Sequence, residues 1–148
     1  MKYDAAILTL PSRLVISRFL LLFACIALVT GCQTTHQFAQ YGPGWHTWRG
    51  QLHYSNPKRS LIGDVVVIKH GDTDFQLEYM AGPGLALITL QQDAKATKAN
   101  GPLSFGPPGH LRGWLSLRDK FANLSPEARI FSVDSPKTRE RFDFRFAQ

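Results

Sequence analysis

The side chains of this chain that could do chemistry are histidines, serines and a few carboxylates. Ser104 lies between Gly101 and Gly106 without the Gly-x-Ser-x-Gly spacing of a nucleophile elbow. The histidines never recur at i and i+4 on a helix or beside a cysteine, which a metal site would require; they are His36, His46, His53, His70 and His110. The sequence therefore predicts no catalytic residue, no metal site and no enzyme. A hydrolase whose residues follow no recognised spacing is a remaining alternative.

Two other groups of residues also favour structural roles. Asp74 and Glu78 fall on the polar side of one predicted strand, and Asp72 lies in the turn before it, so this acidic group is typical of a solvated face. Gly82 and Gly84 are followed by neither a helix nor a Lys-Ser/Thr pair, so they predict a hairpin turn rather than a phosphate loop.

The cysteine that could carry a modification is Cys32. A basic segment precedes an apolar run from Phe19 to Val29, and this order is typical of a signal peptide. The run is shorter than the roughly 20 residues of a transmembrane helix, although an ordinary membrane anchor is the alternative. Leu28-Val29-Thr30-Gly31-Cys32 resembles the bacterial lipobox. We therefore expect a signal peptide at 1–31 and covalent diacylglycerol and N-acyl lipid on Cys32, with no other cofactor.

The composition after Cys32 limits the remaining classes. Residues 32–148 suffice for one domain with one modest core. The chain's formal charge is +6, but its basic residues are dispersed and lack interleaved aromatic residues, so we expect no nucleic-acid partner. Because Cys25 lies in the predicted signal peptide and Cys32 would be lipidated, the domain must be stabilised by packing without a disulfide.

The elements that position these residues follow from hydrophobic periodicity. A polar segment with Gly and Pro, 32–44, predicts a flexible tether, and residues 45–148 predict a single β-rich periplasmic domain. Alternating or Val/Ile-rich runs predict strands at 48–54, 61–69, 75–79, 85–91, 94–99, 129–133 and 141–146. Helical spacing predicts an amphipathic helix from Leu111 to Ala122, and Ser125-Pro126-Glu127 predicts a short helical turn.

These elements predict an α+β, mainly β fold. Short turns between successive strands favour a curved antiparallel sheet of about seven strands, an incomplete barrel, with the helix packed on its concave face. The concave face would carry Phe75, Leu77, Tyr79, Trp114 and Leu115. Two interpretations stay open: these side chains line an apolar cleft that binds an acyl chain, or the helix fills the sheet as a packed core.

A broader pattern links the Gly-containing first strand, the segment Phe75–Gly84 and the helix with Trp114. In this order they resemble the outer-membrane lipoprotein receptor and carrier proteins of the lipoprotein localisation pathway. The resemblance implies an incomplete barrel that accepts the acyl chains of lipoproteins without enzymatic chemistry. It also implies an apolar residue that enters the membrane from an exposed loop, for which Leu85 is the counterpart. The resemblance also implies that a lipoprotein with glutamine after the lipidated cysteine, here Gln33 after Cys32, is sent to the outer membrane.

The sequence thus leads to a membrane-anchored periplasmic lipoprotein as the expected function. It would bind acyl chains or other lipoproteins in an apolar concavity and face the periplasm from the outer membrane of a bacterial envelope. The rival expectation is a structural or assembly-accessory envelope lipoprotein with a packed core that docks a protein partner.

Overall fold

The computed structural model describes residues 36–147, so the predicted signal peptide and Cys32 lie outside the described residues. Within them lie seven strands, a short 3₁₀ helix at Pro102–Ser104 and the helix α1 at Arg112–Phe121. The strands are β1 (His46–Asn56), β2 (Arg59–His70), β3 (Asp74–Met80), β4 (Ala86–Gln92), β5 (Thr97–Asn100), β6 (Ile130–Ser135) and β7 (Glu140–Phe146). The described part of the chain contains no helix with the length and hydrophobicity needed to cross a bilayer.

The seven strands form one antiparallel sheet in the order β5-β4-β3-β2-β1-β7-β6. The sheet is open, with β5 and β6 at its edges. The first strand is an interior strand, because Leu52 of β1 lies opposite Gly63 of β2 on one side and Phe144 of β7 on the other. This architecture confirms the predicted mainly β fold with an incomplete barrel.

Period-two alternation gives the sheet an inner face, which packs against α1, and an outer face. In β1, Trp48, Leu52 and Tyr54 are buried on the inner face, as the sequence predicts. In β2 the apolar run Val65–Ile68 has no alternation, so the sequence does not indicate which of its side chains face the core. The backbone register turns Val65 and Val67 inward and leaves Val66 and Ile68 half-buried on the outer face.

Two glycines on the inner face let the sheet curve. A Cβ atom on Gly50 would lie 2.0 Å from the carbonyl oxygen of Arg145, and one on Gly63 would lie 2.1 Å from the carbonyl oxygen of Met80. Any side chain there would push neighbouring strands apart, whereas glycine permits the close approach that curvature needs.

The helix α1 lies on the inner face with Gly113, Trp114, Leu117 and Phe121 buried, which confirms the predicted amphipathic helix. At its start, Gly113 leaves room for the Glu140 carboxylate beside the first turn, where negative charge is favourable. After its last turn the ammonium of Lys69, from the inner face, donates to the carbonyl oxygen of Ala122 at 3.0 Å. Opposite charges therefore hold the two ends of the helix on the sheet.

Two local predictions differ from the structure because hydrogen-bonded turns replace the predicted elements. The strand predicted at 94–99 begins only at Thr97, since Asp93 Oδ1 accepts the N–H groups of Lys95 and Ala96, both at 2.7 Å. The helical turn predicted after Ser125 is a single turn in which the N–H of Ala128 donates to the Ser125 carbonyl oxygen at 3.0 Å.

Candidate functional site

The residues predicted to bind an apolar ligand lie where β3 meets α1. Phe75, Leu77 and Tyr79 of β3 are 0%, 1% and 0% exposed, and Trp114 of α1 is 1% exposed. The Trp114 ring lies 5.8 Å from the ring of Tyr79 and 4.9 Å from the ring of Phe142. These four side chains are therefore in contact with protein on all sides.

Leu115 lies apart from this group, half-buried at the margin of the core. Phe121 occupies the other end of the helix–sheet contact, with its ring 5.6 Å from Phe75 and 5.2 Å from Phe144. Binding of an apolar ligand by the five predicted residues stays a prediction. The close packing favours the alternative in which the helix fills the sheet.

A buried polar group lies at the end of this core next to the start of α1. The Tyr54 hydroxyl donates to Glu140 Oε1 at 2.8 Å and accepts from Asn56 Nδ2 at 2.8 Å. Burial and the neighbouring Glu140 carboxylate raise the pKa of Tyr54 to about 12. The Tyr79 hydroxyl has no hydrogen-bond partner among the described residues, and burial raises the pKa of Tyr79 to about 12 as well. Both phenols are therefore neutral near pH 7 and serve the core.

Exposed apolar side chains gather at the end of the sheet where β3 ends and β4 begins. The turn between these strands is closed by the N–H of Ala81, which donates to the Leu85 carbonyl oxygen at 3.0 Å. Leu85 is 54% exposed, so it precedes the buried part of β4 rather than joining it. Phe105, 82% exposed, follows the 3₁₀ helix that packs on β4. We call residues 81–85 and 102–105 the apolar end.

The N-terminal segment meets the sheet at the opposite end, where β2 ends and β3 begins. Gln76 Nε2, on the outer face, donates to the Ala39 carbonyl oxygen at 3.1 Å. The Trp45 ring stacks on His70 with 5.2 Å between centroids. The described part of the predicted tether therefore contacts the sheet through Ala39, and Trp45, which follows it, contacts the same end of the sheet.

The outer face carries a row of side chains whose proximity the sequence did not predict. Across β2, β1, β7 and β6 the register aligns Ile62, His53, Asp143 and Ser132. Ser60, diagonal to His53, places its Oγ 2.7 Å from His53 Nε2. On the other side of the imidazole, His53 Nδ1 lies 3.8 Å from Asp143 Oδ2.

Asp143 is held in place by two further side chains. It accepts from Arg141 Nε at 2.9 Å and from the Ser132 hydroxyl at 2.7 Å. The hydrogen bond from Arg141 contributes most to lowering the pKa of Asp143 below its ordinary value, and the bond from Ser132 adds to it. The carboxylate beside His53 is therefore ionised at neutral pH.

Ser60, His53 and Asp143 could not be identified from local spacing. His53 and Ser60 are seven residues apart on paired strands, and Asp143 arrives from the C-terminal hairpin. Alternation alone indicates that His53 and Asp143 face outward, but only the pairing of β1 with β7 brings them together. The missing signal was strand order, which the sequence pattern does not contain.

Two grooves lie near these features. One, of about 370 Å³, runs along the outer face and is lined by Gln51, His53, Ile62, Ile130 and Asp143, among others. Another, of about 470 Å³, lies at the margin of the inner face between Trp48, Phe146 and residues 126–129. Within residues 36–147 no group of three His, Asp or Glu side chains is arranged to hold a metal ion.

The chain was also compared with known proteins. No protein-family model and no curated protein matches it.

Proposed function

We propose that this chain is a lipoprotein of the bacterial cell envelope whose packed domain docks a protein partner through the apolar end. Cys32 carries the lipid, and the domain that follows it recognises the partner. The observation that carries the proposal is the distribution of apolar side chains. The inner face is filled, whereas Leu85 and Phe105 are 54% and 82% exposed at one end of the sheet.

The filled inner face favours docking over carriage of an acyl chain. An acyl chain would have to displace Trp114 from the rings of Tyr54 and Phe142, each 4.9 Å away. An aromatic side chain of this size buries roughly 150–250 Å². The ligand would therefore have to replace contacts of similar area before it gained any affinity.

The position of the N-terminal segment favours a protein rather than the anchoring membrane as the occupant of the apolar end. Ala39 and Trp45 attach at the end next to His70, and a seven-residue strand such as β3 places the apolar end about 23 Å away. Six residues lie between Cys32 and Ala39, so the seven Cα–Cα steps that join them can extend at most about 24 Å. Only a fully extended segment would therefore let the lipid anchor reach the apolar end. Membrane contact by Leu85 remains the competing prediction.

The anchor is tested by two matched cysteine substitutions. Cys32→Ser should abolish metabolic labelling with palmitate and leave the precursor uncleaved or released from membranes. Cys25→Ser, in the predicted signal peptide, should leave both labelling and processing unchanged. Palmitate labelling that survives Cys32→Ser would contradict the lipidation site.

The docking end is tested by photocrosslinking in cells. A benzophenone amino acid replaces Phe105 or Leu85, and Lys98, exposed on the edge strand β5, serves as the control position. We expect one discrete protein adduct from positions 105 and 85 and none from 98. Lipid adducts alone from position 85 would establish the membrane-contact prediction and overturn docking.

A separate measurement decides between docking and acyl carriage. Native mass spectrometry of the protein purified from membranes should show the covalent lipid mass and no additional ligand. A stoichiometric second lipid, or saturable binding of a fluorescent fatty acid, would contradict the packed core and support the carrier function.

A further inference from the structure

We propose that Ser60 is an activated nucleophile that accepts the acyl group of small activated esters, with His53 as its general base. This activity goes beyond the proposed docking function and uses a different face of the domain. The supporting contact is the 2.7 Å distance between Ser60 Oγ and His53 Nε2. A serine, an imidazole and a carboxylate in this order form the arrangement that activates a hydroxyl for nucleophilic attack.

The strand pairing fixes the three groups in space. His53 lies opposite Ile62 on β2 and opposite Asp143 on β7, and Ser60 is two residues before Ile62 on the same face. Hydrogen-bonded strands lie about 4.8 Å apart, so side chains on neighbouring strands are within reach of one another. The Ser60–His53–Asp143 relay therefore lies on paired strands. No loop has to move to bring the three side chains together.

The carboxylate influences the tautomer of the imidazole through its charge, since 3.8 Å is longer than a hydrogen bond. Asp143 Oδ2, 3.8 Å from His53 Nδ1, favours the tautomer that carries its proton on Nδ1. The lone pair on Nε2 is then free to accept the Ser60 hydroxyl proton. Because Arg141 and Ser132 hold Asp143 by hydrogen bonds, Asp143 is a positioning residue that stabilises the imidazolium when it forms.

The surroundings indicate a short acyl group on an aryl leaving group as the substrate class. Ser60 is exposed and the His53 side chain is 43% exposed, so a reagent reaches both without a conformational change. His53 also lines a groove of about 370 Å³, in which the 68% exposed Ile62 lies beside it, whereas the 76% exposed Ile130 lies three strands from Ile62. A flat apolar ring can lie on Ile62 next to the reacting groups, whereas an open groove does not hold a long flexible substrate.

The acyl transfer proceeds in two steps, addition to the ester carbonyl and then loss of the leaving group. Ser60 Oγ forms a bond to the ester carbonyl carbon while its proton passes to His53 Nε2. The tetrahedral intermediate then breaks its bond to the leaving oxygen, which takes the proton from Nε2 and departs as a phenol. The products are acyl-Ser60 and the phenol, and hydrolysis by water would later release the carboxylic acid and regenerate the serine.

The expected acceleration is that of a general base acting alone. A positioned base contributes roughly 10²-fold to 10⁴-fold. We expect the lower end of this range because the site is exposed to water. Acylation of Ser60 should therefore be measurable over minutes to hours, with little turnover.

The test is reaction of the purified full-length protein with a fluorophosphonate and with p-nitrophenyl acetate. Intact mass and peptide mapping locate the adduct. We expect one adduct, on Ser60, that is absent in Ser60→Ala and at least tenfold slower in His53→Gln. Ser55→Ala, opposite Ser60 in the ladder, should react as the unchanged protein does.

The role of Asp143 has its own measurement. Asp143→Asn should slow acylation severalfold, and Asp143→Glu should restore part of the rate, while circular dichroism shows all variants folded. A merely structural carboxylate would give equal rates in the Asn and Glu variants. An adduct missing from Ser60, or an acylation rate unchanged in His53→Gln, would overturn the proposal.

Discussion

The two faces of the sheet differ in what their side chains are free to do. On the inner face, Trp114, Tyr79 and Phe142 are at most 1% exposed, and the ring of Trp114 contacts the rings of the other two. On the outer face, His53 and Asp143 keep 43% and 26% of their side chains exposed and are joined by polar contacts. Residues that alternate along the same strands therefore have different surroundings, a closed apolar core on one face and solvent-exposed polar contacts on the other.

The comparison shows why an apolar surface in a sequence is a weak indicator of a ligand site. Aromatic residues at strand spacing are equally suited to a cleft and to a core, and the position of a single helix decides between them. Here α1 fills the inner face with Trp114, Leu117 and Phe121. The proposed reactive groups, Ser60, His53 and Asp143, lie on the opposite face of the sheet, which does not contact the helix.

The largest expected effect is the loss of a ring from the inner face. Trp114→Ala removes a fully buried side chain and leaves a cavity, so it should lower the free energy of unfolding by about 3–5 kcal/mol. Ile62→Ala, on the outer face at 68% exposure, should change it by no more than about 0.5 kcal/mol. Urea denaturation compares the two, and equal losses would contradict the assignment of the faces.

The two buried tyrosines should respond in opposite directions to loss of a hydroxyl. Tyr54→Phe removes the donor to Glu140 Oε1 and leaves a buried carboxylate poorly satisfied, which should cost about 1–3 kcal/mol. Tyr79→Phe removes a hydroxyl that has no partner among the described residues, so stability should stay the same or rise. Thermal melts at pH 7 test the pair, and a loss in Tyr79→Phe as large as in Tyr54→Phe would show an unrecognised partner.

Alkaline pH should weaken the inner face. The pKa values of Tyr54 and Tyr79 rise from 10.0 to about 12 in the fold, because burial disfavours the phenolate. Their contribution is therefore complete below pH 10 and is lost as the pH rises from 10 through about 12. Melting temperatures across this range should fall less in Tyr79→Phe than in the unchanged protein, and identical slopes would exclude Tyr79 as a contributor.

The smallest expected effect is on the outer face at acidic pH. Arg141 and Ser132 lower the pKa of Asp143, so its contribution is present above the ordinary carboxyl pKa of 3.8 and is lost as the pH falls through the lowered value. Because the site is exposed, Asp143→Asn should cost less than about 1 kcal/mol at pH 7. The difference between the two proteins should shrink as the pH falls below 3.8 and vanish once Asp143 is protonated, and a constant difference would indicate a loss of packing instead.

Much of the fold follows from local patterns, whereas the site depends on pairing. Alternation in β1 and β7, and the apolar stripe of α1, predict the elements and their buried sides because each signal lies within a few neighbouring residues. For the run Val65–Ile68 the inward side could not be predicted, because four consecutive apolar residues carry no period. The Ser60–His53–Asp143 relay was missed because three strands supply it, and its geometry exists only once β1 and β7 are paired.

The pairing of β1 with β7 also orders events in time. The strand β1 is synthesised well before its partner β7, since the paired residues Leu52 and Phe144 are 92 positions apart in the sequence. Contacts between such distant segments are slow to form, because closing a long loop costs entropy before the contacts stabilise the chain. Until then one edge of β1 stays open to pairing with other chains. Newly synthesised protein should therefore be most prone to aggregation, and most dependent on chaperones, just before the β6–β7 hairpin docks on β1.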